Sequence, residues 1–405
     1  MIATCAGPAP RRGREQGNIT PVFDGAIAAR NETISYIGRS DELAQHVDVS
    51  SSTIRIDARG CAVIPGLVDP HTHAVHAGDR RDELRGRLAG DTYEGVAARG
   101  GGILSTVDAT RAAQEDQLVA EARVRLDEML ACGTTTCEIK SGYGLTTESE
   151  LKQLRAIRTL ARSHPIEITP TFLGAHEVPV EFRGRRDDYV SLVVNEMIPH
   201  VASERLAEWC DVFCERGVFT IDESVTILEA GVSAGLKPRV HADELGATGG
   251  SHVAARVGAR SADHLVFVDE ASADELARAS VTAILLPIAA FYLKLGRFAP
   301  ARMLIERGVP VALATDVNPG GGFSPSVPFA ISLACFCMGM TLEEALIAAT
   351  LNAAWSLDRA DIVGSLEPGK QMDAVIIKGG LVELLRVGAP AVHAVIKKGK
   401  VVRSQ

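Results

Sequence analysis

Between residues 63 and 315 the chain repeats one pattern eight times: a short run of β-branched and apolar residues, then an amphipathic or Ala/Leu/Glu-rich segment. Strands joined through helices run parallel, and eight such units close into a (β/α)8 TIM barrel. The strand runs fall at 63–68, 134–139, 166–172, 209–214, 237–241, 261–266, 281–286 and 310–315. Helices are expected at 114–131, 148–163, 187–200, 222–234, 249–257, 273–279 and 301–307. Gly133, Gly235 and Gly308 stand just past three of them, where a helix end favours a left-handed residue.

The two ends of the chain read differently. Residues 19–56 and 374–402 are β-rich with turn glycines and no long helical pattern between strands. They predict a small composite β-sandwich domain built from both termini, residues 1–62 plus 364–405, beside a catalytic barrel over 63–363. A length of 405 residues accommodates both.

Composition narrows the partners. With 46% hydrophobic and 23% charged residues, the chain has the balance of a soluble globular protein, and no long uncharged apolar run points to a membrane. A net charge of -9 argues against nucleic acid and means that an anionic small-molecule substrate needs a dedicated cation in its site. The eight cysteines form no C-x-x-C pair, and residues 1–20 carry Pro8, Pro10 and charges rather than an apolar leader. A reducing, cytoplasmic location is expected.

In such a barrel, chemistry gathers where the strands end. The first strand runs into Pro70-His71-Thr72-His73, and residues i and i+2 of a strand share a face, so both imidazoles can reach one ion. Strand five ends at His241-Ala242-Asp243-Glu244, strand six at Asp263-His264, and strand eight at Asp316-Val317-Asn318. Singly, each has an ordinary reading: a strand-end histidine, a buried histidine, a helix cap, a loop carboxylate. Together, His71, His73, His241 and Asp316 are a donor set for Zn²⁺ or another first-row ion. Asp263 receives no role.

These strand-end residues resemble the amidohydrolase superfamily. Strand four, Cys210-Asp211-Val212-Phe213-Cys214-Glu215, lacks the lysine of binuclear members, and Glu244 matches the mononuclear subtype. Within the superfamily the chain is most similar to the imidazolonepropionase family. Four blocks carry this likeness: 70–73 with Gly78-Asp79-Arg80, 100–107 with Thr110-Arg111, 138–145, and 172–176; Leu313-Ala314-Thr315-Asp316 with Asn318-Pro319-Gly320 closes the set.

The resemblance implies hydrolysis of a cyclic amide, 4-imidazolone-5-propanoate, with one divalent or trivalent ion per subunit, Zn or Fe, held by His71, His73, His241 and Asp316. Glu244, His264 and Asp316 would handle protons. Arg80, Tyr143, His176, Glu244, Asn318, Gly320 and Gly321 would contact substrate, with Arg80 clamping the propionate. Alone, Arg80 reads as a solvated arginine and Tyr143 as a loop aromatic. Gly320-Gly321-Gly322 departs from the family, where a hydroxyl residue more usually follows the first glycine. A homodimer is expected. Two alternatives stay open: a mononuclear-metal deaminase of a nitrogen heterocycle, and a noncatalytic amidohydrolase-like scaffold.

Overall fold

The chain begins in β1 (Ile2–Ala3), β2 (Pro21–Val22), β3 (Gly25–Arg30), β4 (Thr33–Arg39) and β5 (Cys61–Pro65). Eight strands with intervening helices follow: β6 (Leu67–Asp69), β7 (Thr134–Lys140), β8 (Glu167–Ala175), β9 (Trp209–Cys214), β10 (Lys237–Ala242), β11 (Ser261–His264), β12 (Thr282–Leu285) and β13 (Val311–Leu313). The last three are β14 (Ala374–Lys378), β15 (Val392–Lys397) and β16 (Lys400–Ser404). The computed structural model describes residues 1–91, 95 and 101–404, so Gly100 of the glycine block lies outside the described residues.

β6 to β13 form one parallel sheet in chain order, curled into a barrel. β7, β9 and β11 are buried along their whole length, as parallel strands covered by helices must be. The seam between β6 and β13 is closed by their C-terminal extensions. The Thr315 N–H and hydroxyl donate to the buried Asp69 carboxylate at 3.0 and 2.6 Å, and burial pushes that carboxyl up to about 7. Beyond it, Asp316 N–H bonds the His71 carbonyl at 3.1 Å and His73 N–H the Val317 carbonyl at 2.9 Å. Barrel closure is thus made by the residues that carry the candidate site.

Three expectations need correction. The run at 63–68 is two strands: Cys61–Pro65 pairs with β14 and β1 in the terminal sheet, and only Leu67–Asp69 enters the barrel. The break falls at Gly66, where a β-carbon would overlap the Thr135 side chain, so only a glycine leaves that side chain its place. Strand six stops at His264, the last paired residue, because His264 and Leu265 take φ of 75° and 55° and two successive left-handed residues turn the chain out of the ladder. The helix expected over 187–200 is interrupted by a π-turn at Val193–Met197; Pro199, just beyond it, has no N–H to give the preceding turn.

The terminal strands form a six-stranded sheet in the order β16-β15-β14-β5-β1-β2, with the β3–β4 hairpin as a separate layer. Ile34 of the hairpin packs with Ile2, Val63, Ile376 and Ile396 of the large sheet, making a sandwich. None of the eight cysteines is disulfide-bonded, and no described helix is long and apolar enough to cross a membrane.

Candidate active site

β6, β10, β11 and β13 bring five of the expected residues to one point on the barrel axis. His73 Nε2 lies 3.6 Å from Asp316 Oδ1 and 3.4 Å from His241 Nε2, and His71 Nε2 lies 3.7 Å from the same Asp316 oxygen. His71, His73 and Asp316 form one group of converging donor atoms, and His71, His241 and His264 a second, all buried. His71 Nε2, His264 Nε2 and Asp316 Oδ1 are buried without a hydrogen-bond partner. A buried polar atom without a partner costs free energy. Neutral imidazole nitrogens and a carboxylate oxygen aimed at one point suit a first-row cation, so the donor set fits the metal ion that the sequence implies.

What orients the imidazoles was largely missed by sequence reasoning. Asp263 accepts from His71 Nδ1 at 2.6 Å, and Asp211 Oδ2 stands 3.0 Å from His241 Nδ1. Glu138, Lys140 and Arg239 complete a charged interior beneath them, each fully buried. A signal for these was present: β7, β9, β10 and β11 carry charges at mid-strand in otherwise apolar runs, at spacings of two in Glu138/Lys140 and Arg239/His241.

Above the ligands, Glu244 Oε1 lies 3.5 Å from His264 Nδ1. Burial, then the charges of Asp316 and Glu215, push the Glu244 carboxyl well above its ordinary 4.5. Burial drives the His264 imidazole well below 6.5. A carboxyl and an imidazole shifted toward each other are suited to exchanging a proton. Burial likewise raises Asp316 to about 7. Asp243, His264 and Asp316 sit at positive φ (50°, 75° and 52°), a cluster of left-handed non-glycine residues of the kind found at functional sites.

The remaining expected residues line the cleft that opens over this floor. Arg80, Tyr143, His176, Asn318, Gly320 and Gly321 all face it. Arg80 is buried and its Nε has no hydrogen-bond partner; a β-carbon at Gly320 would occupy the space of its guanidinium. His176 donates from Nδ1 to the Gly142 carbonyl at 2.9 Å, leaving Nε2 as its lone-pair nitrogen, and stacks on His73 at 5.0 Å. Burial lowers His176 to about 3. The Asn318 side chain serves its own loop: Oδ1 accepts from Gly320 and Gly321 N–H at 2.8 and 2.6 Å, and Nδ2 donates to the Asp316 carbonyl at 2.7 Å. A β-carbon at Gly321 would meet nothing closer than 3.5 Å, so the glycine there is not sterically required.

Three supporting residues escaped the sequence reading. Arg87 reaches from the helix Arg81–Leu88 to the carbonyls of Gly320 and Tyr292. Glu150 accepts the N–H groups of Gly142, Gly144 and Leu145 at 3.0, 2.7 and 2.8 Å, and Gln153 accepts that of Tyr143 at 3.0 Å. Together they shape the loop that presents Tyr143 and holds His176.

With this geometry in view, the likenesses to known proteins can be weighed. An imidazolonepropionase of Alkaliphilus metalliredigens is 44% identical over 404 residues, covering 99% of this chain and 96% of its own. One from Symbiobacterium thermophilum is 48% identical over 99% and 95%. The chain belongs to the imidazolonepropionase family. The amidohydrolase family profile matches residues 229–402, the part that carries His241, Glu244, His264 and Asp316. Among solved structures, a triazine hydrolase variant superposes with a TM-score of 0.73 at 18% identity, over the whole chain and 93% of that one. A variant atrazine chlorohydrolase of Arthrobacter aurescens TC1, solved with zinc and atraton, gives 0.71 at 17%, again over the whole chain and 93% of its own. Those two show the amidohydrolase fold that this imidazolonepropionase-family chain shares.

Proposed function

We propose that the chain hydrolyses 4-imidazolone-5-propanoate to N-formimidoyl-L-glutamate. The observation that carries this reading is a buried arginine, Arg80, facing the same cleft as a converging histidine and aspartate cluster, in a chain 44–48% identical to imidazolonepropionases along nearly its whole length. A guanidinium desolvated in this way pairs bidentately with a carboxylate, which explains how an acidic protein takes an anionic substrate.

His71, His73, His241 and Asp316 would hold one ion, Zn or Fe. When bound, such an ion supplies Lewis acidity and makes hydroxide available near neutral pH, since the pKa of its water falls from 15.7 to about 7. The chain's own residues do the rest. Arg80 anchors the propionate, and Tyr143 with the Nε2 of His176 fixes the ring between aromatic walls. Glu244 and His264 take up a proton from the attacking water and return it to the ring nitrogen as the carbonyl C–N bond breaks, with Asp316 able to pass it across. The water oxygen stays on the former carbonyl carbon as carboxylate. A cytoplasmic homodimer remains our reading of assembly and location. The unpaired cysteines support the compartment, and sedimentation tests the dimer.

The test is the ultraviolet decay of freshly made 4-imidazolone-5-propanoate with purified protein, before and after chelation and after restoring Zn²⁺ or Fe²⁺. Metal-dependent loss with stoichiometric N-formimidoyl-glutamate is the expected result. Decay at the spontaneous rate with metal bound would overturn the reading and direct attention to cyclic amidines and deamination.

A further inference from the structure

Barrel interiors are normally filled by layers of Val, Ile and Leu. Here the layer directly under the histidines is ionic: Glu138 and Lys140 from β7, Asp211 from β9, Arg239 from β10 and Asp263 from β11, all with no exposed surface. Lys140 is its centre. Its Nζ lies 2.7 Å from Glu138 Oε1, 2.8 Å from Asp211 Oδ2 and 3.9 Å from Asp263 Oδ2. The Asp211 oxygen it touches is the one 3.0 Å from His241 Nδ1, and the Asp263 oxygen it faces is the one 2.6 Å from His71 Nδ1.

We propose that Lys140 is a positioning residue for the metal site, a single ammonium post beside the two carboxylate oxygens that face Nδ1 of His71 and of His241, and so aims both Nε2 lone pairs at the ion. A carboxylate only accepts, so His71 gives its Nδ1 hydrogen to Asp263 Oδ2, and the Asp211 oxygen 3.0 Å from His241 Nδ1 favours the same tautomer there. The Nε2 atoms are then the lone-pair nitrogens, and they point where the donors converge: His71 Nε2 is buried without a partner, and His241 Nε2 lies 3.4 Å from His73 Nε2.

Arg239 completes the layer from below. It stands 3.8 Å from Glu138, donates to Ser261 Oγ at 3.0 Å and lies over the Trp209 ring. Three carboxylates against Lys140 and Arg239 leave one negative charge beneath the site, which favours a cation above it. Partners of this kind behind metal-holding histidines typically change metal affinity 10- to 100-fold.

The inference rests on the metal reading of the site, and one titration separates the two. The zinc dissociation constant of the apo-protein is measured by competition with a chromogenic chelator, alongside circular dichroism, for wild type, Lys140→Met, and Lys140→Met with Glu138→Gln. A folded Lys140 variant is expected to bind zinc 10- to 100-fold more weakly, with saturating zinc restoring most of the hydrolysis rate and KM unchanged. Zinc affinity within twofold of wild type in a folded variant overturns the proposal, because a lysine needed only for stability would lower the melting temperature without touching affinity.

If neither Lys140 variant folds, Asp211→Asn, Asp263→Asn and their combination decide. A combined loss smaller than the product of the single losses supports a shared post, and a simple product overturns it. Wild-type apo-protein that takes up no zinc, manganese or iron overturns the metal reading, and this inference with it.

Discussion

The floor of the site and its rim are built by different means. On the floor, His71 and His241 project from the ends of β6 and β10, with three strands of the sheet between them, and each has its Nδ1 against a carboxylate on another strand. Strand ends and the carboxylates behind the imidazoles then determine how far apart the donors stand. The rim has no such ladder. Arg80, Tyr143 and the Asn318–Gly321 segment sit on loops held by side chains that grip backbone: Glu150 and Gln153 under Tyr143, and Arg87 and Asn318 at Gly320. A floor of that kind is pre-organised, whereas a rim of that kind can be altered residue by residue while the barrel stands.

The sharpest way to break this comparison is Glu244→Gln. It keeps the shape of a residue between floor and rim and removes its acid, so metal content should stay at wild-type level while kcat falls about 10²- to 10⁴-fold; full turnover would take Glu244 out of the mechanism. Next comes Arg80→Met, a pure rim change. Losing one partner of a desolvated charge pair costs about 2–5 kcal/mol, read as a rise in KM of at least about 30-fold with unchanged metal content, and a parallel loss of metal would mean that rim and floor are not separable.

Glu150→Gln turns one acceptor of three backbone N–H groups into a donor. A loss of about 1–3 kcal/mol of stability is expected, together with a raised KM and normal metal binding; thermal melts and steady-state kinetics read both. The last prediction concerns pH. Burial holds His176 at about 3, below its ordinary 6.5, so the native state binds fewer protons than the unfolded chain. Stability from this group is therefore complete above pH 6.5 and lost as pH falls toward 3, by up to about 1.4 kcal/mol per pH unit. In metal-free protein, His176→Asn should flatten the dependence of the urea midpoint between pH 7 and 5 by one proton's worth. An unchanged slope would show that His176 is not held neutral.

Sequence disclosed the floor better than the rim, for a physical reason. His71 and His73 announce themselves because a two-residue spacing at a strand end is a geometric statement, and His241 and Asp316 follow once strands are counted. Asp211 and Asp263 do not, since they act on imidazoles of distant segments, and a carboxylate in mid-strand does not reveal which histidine it will meet. Arg80 and Tyr143 became legible only through family resemblance. Arg87, Glu150 and Gln153 left no trace, because their partners are backbone groups that every residue possesses. In the fold, seven of the eight barrel strands were recovered close to their true bounds. The division at Gly66 was not, since it depends on pairing with β14, roughly three hundred residues downstream.

That division also bears on the order in which the molecule can be made. Pro65 and Ile64 find their antiparallel neighbours in Ala374 and Val375, so the segment leading into His71 and His73 lacks its longest ladder until almost the whole polypeptide has been synthesised. At translation rates of about 5–20 residues per second, the nascent chain spends tens of seconds with that apolar edge unpaired. Such an edge, rich in Val and Ile, is where a chaperone would find most to protect during synthesis, and where a truncated product would begin to aggregate.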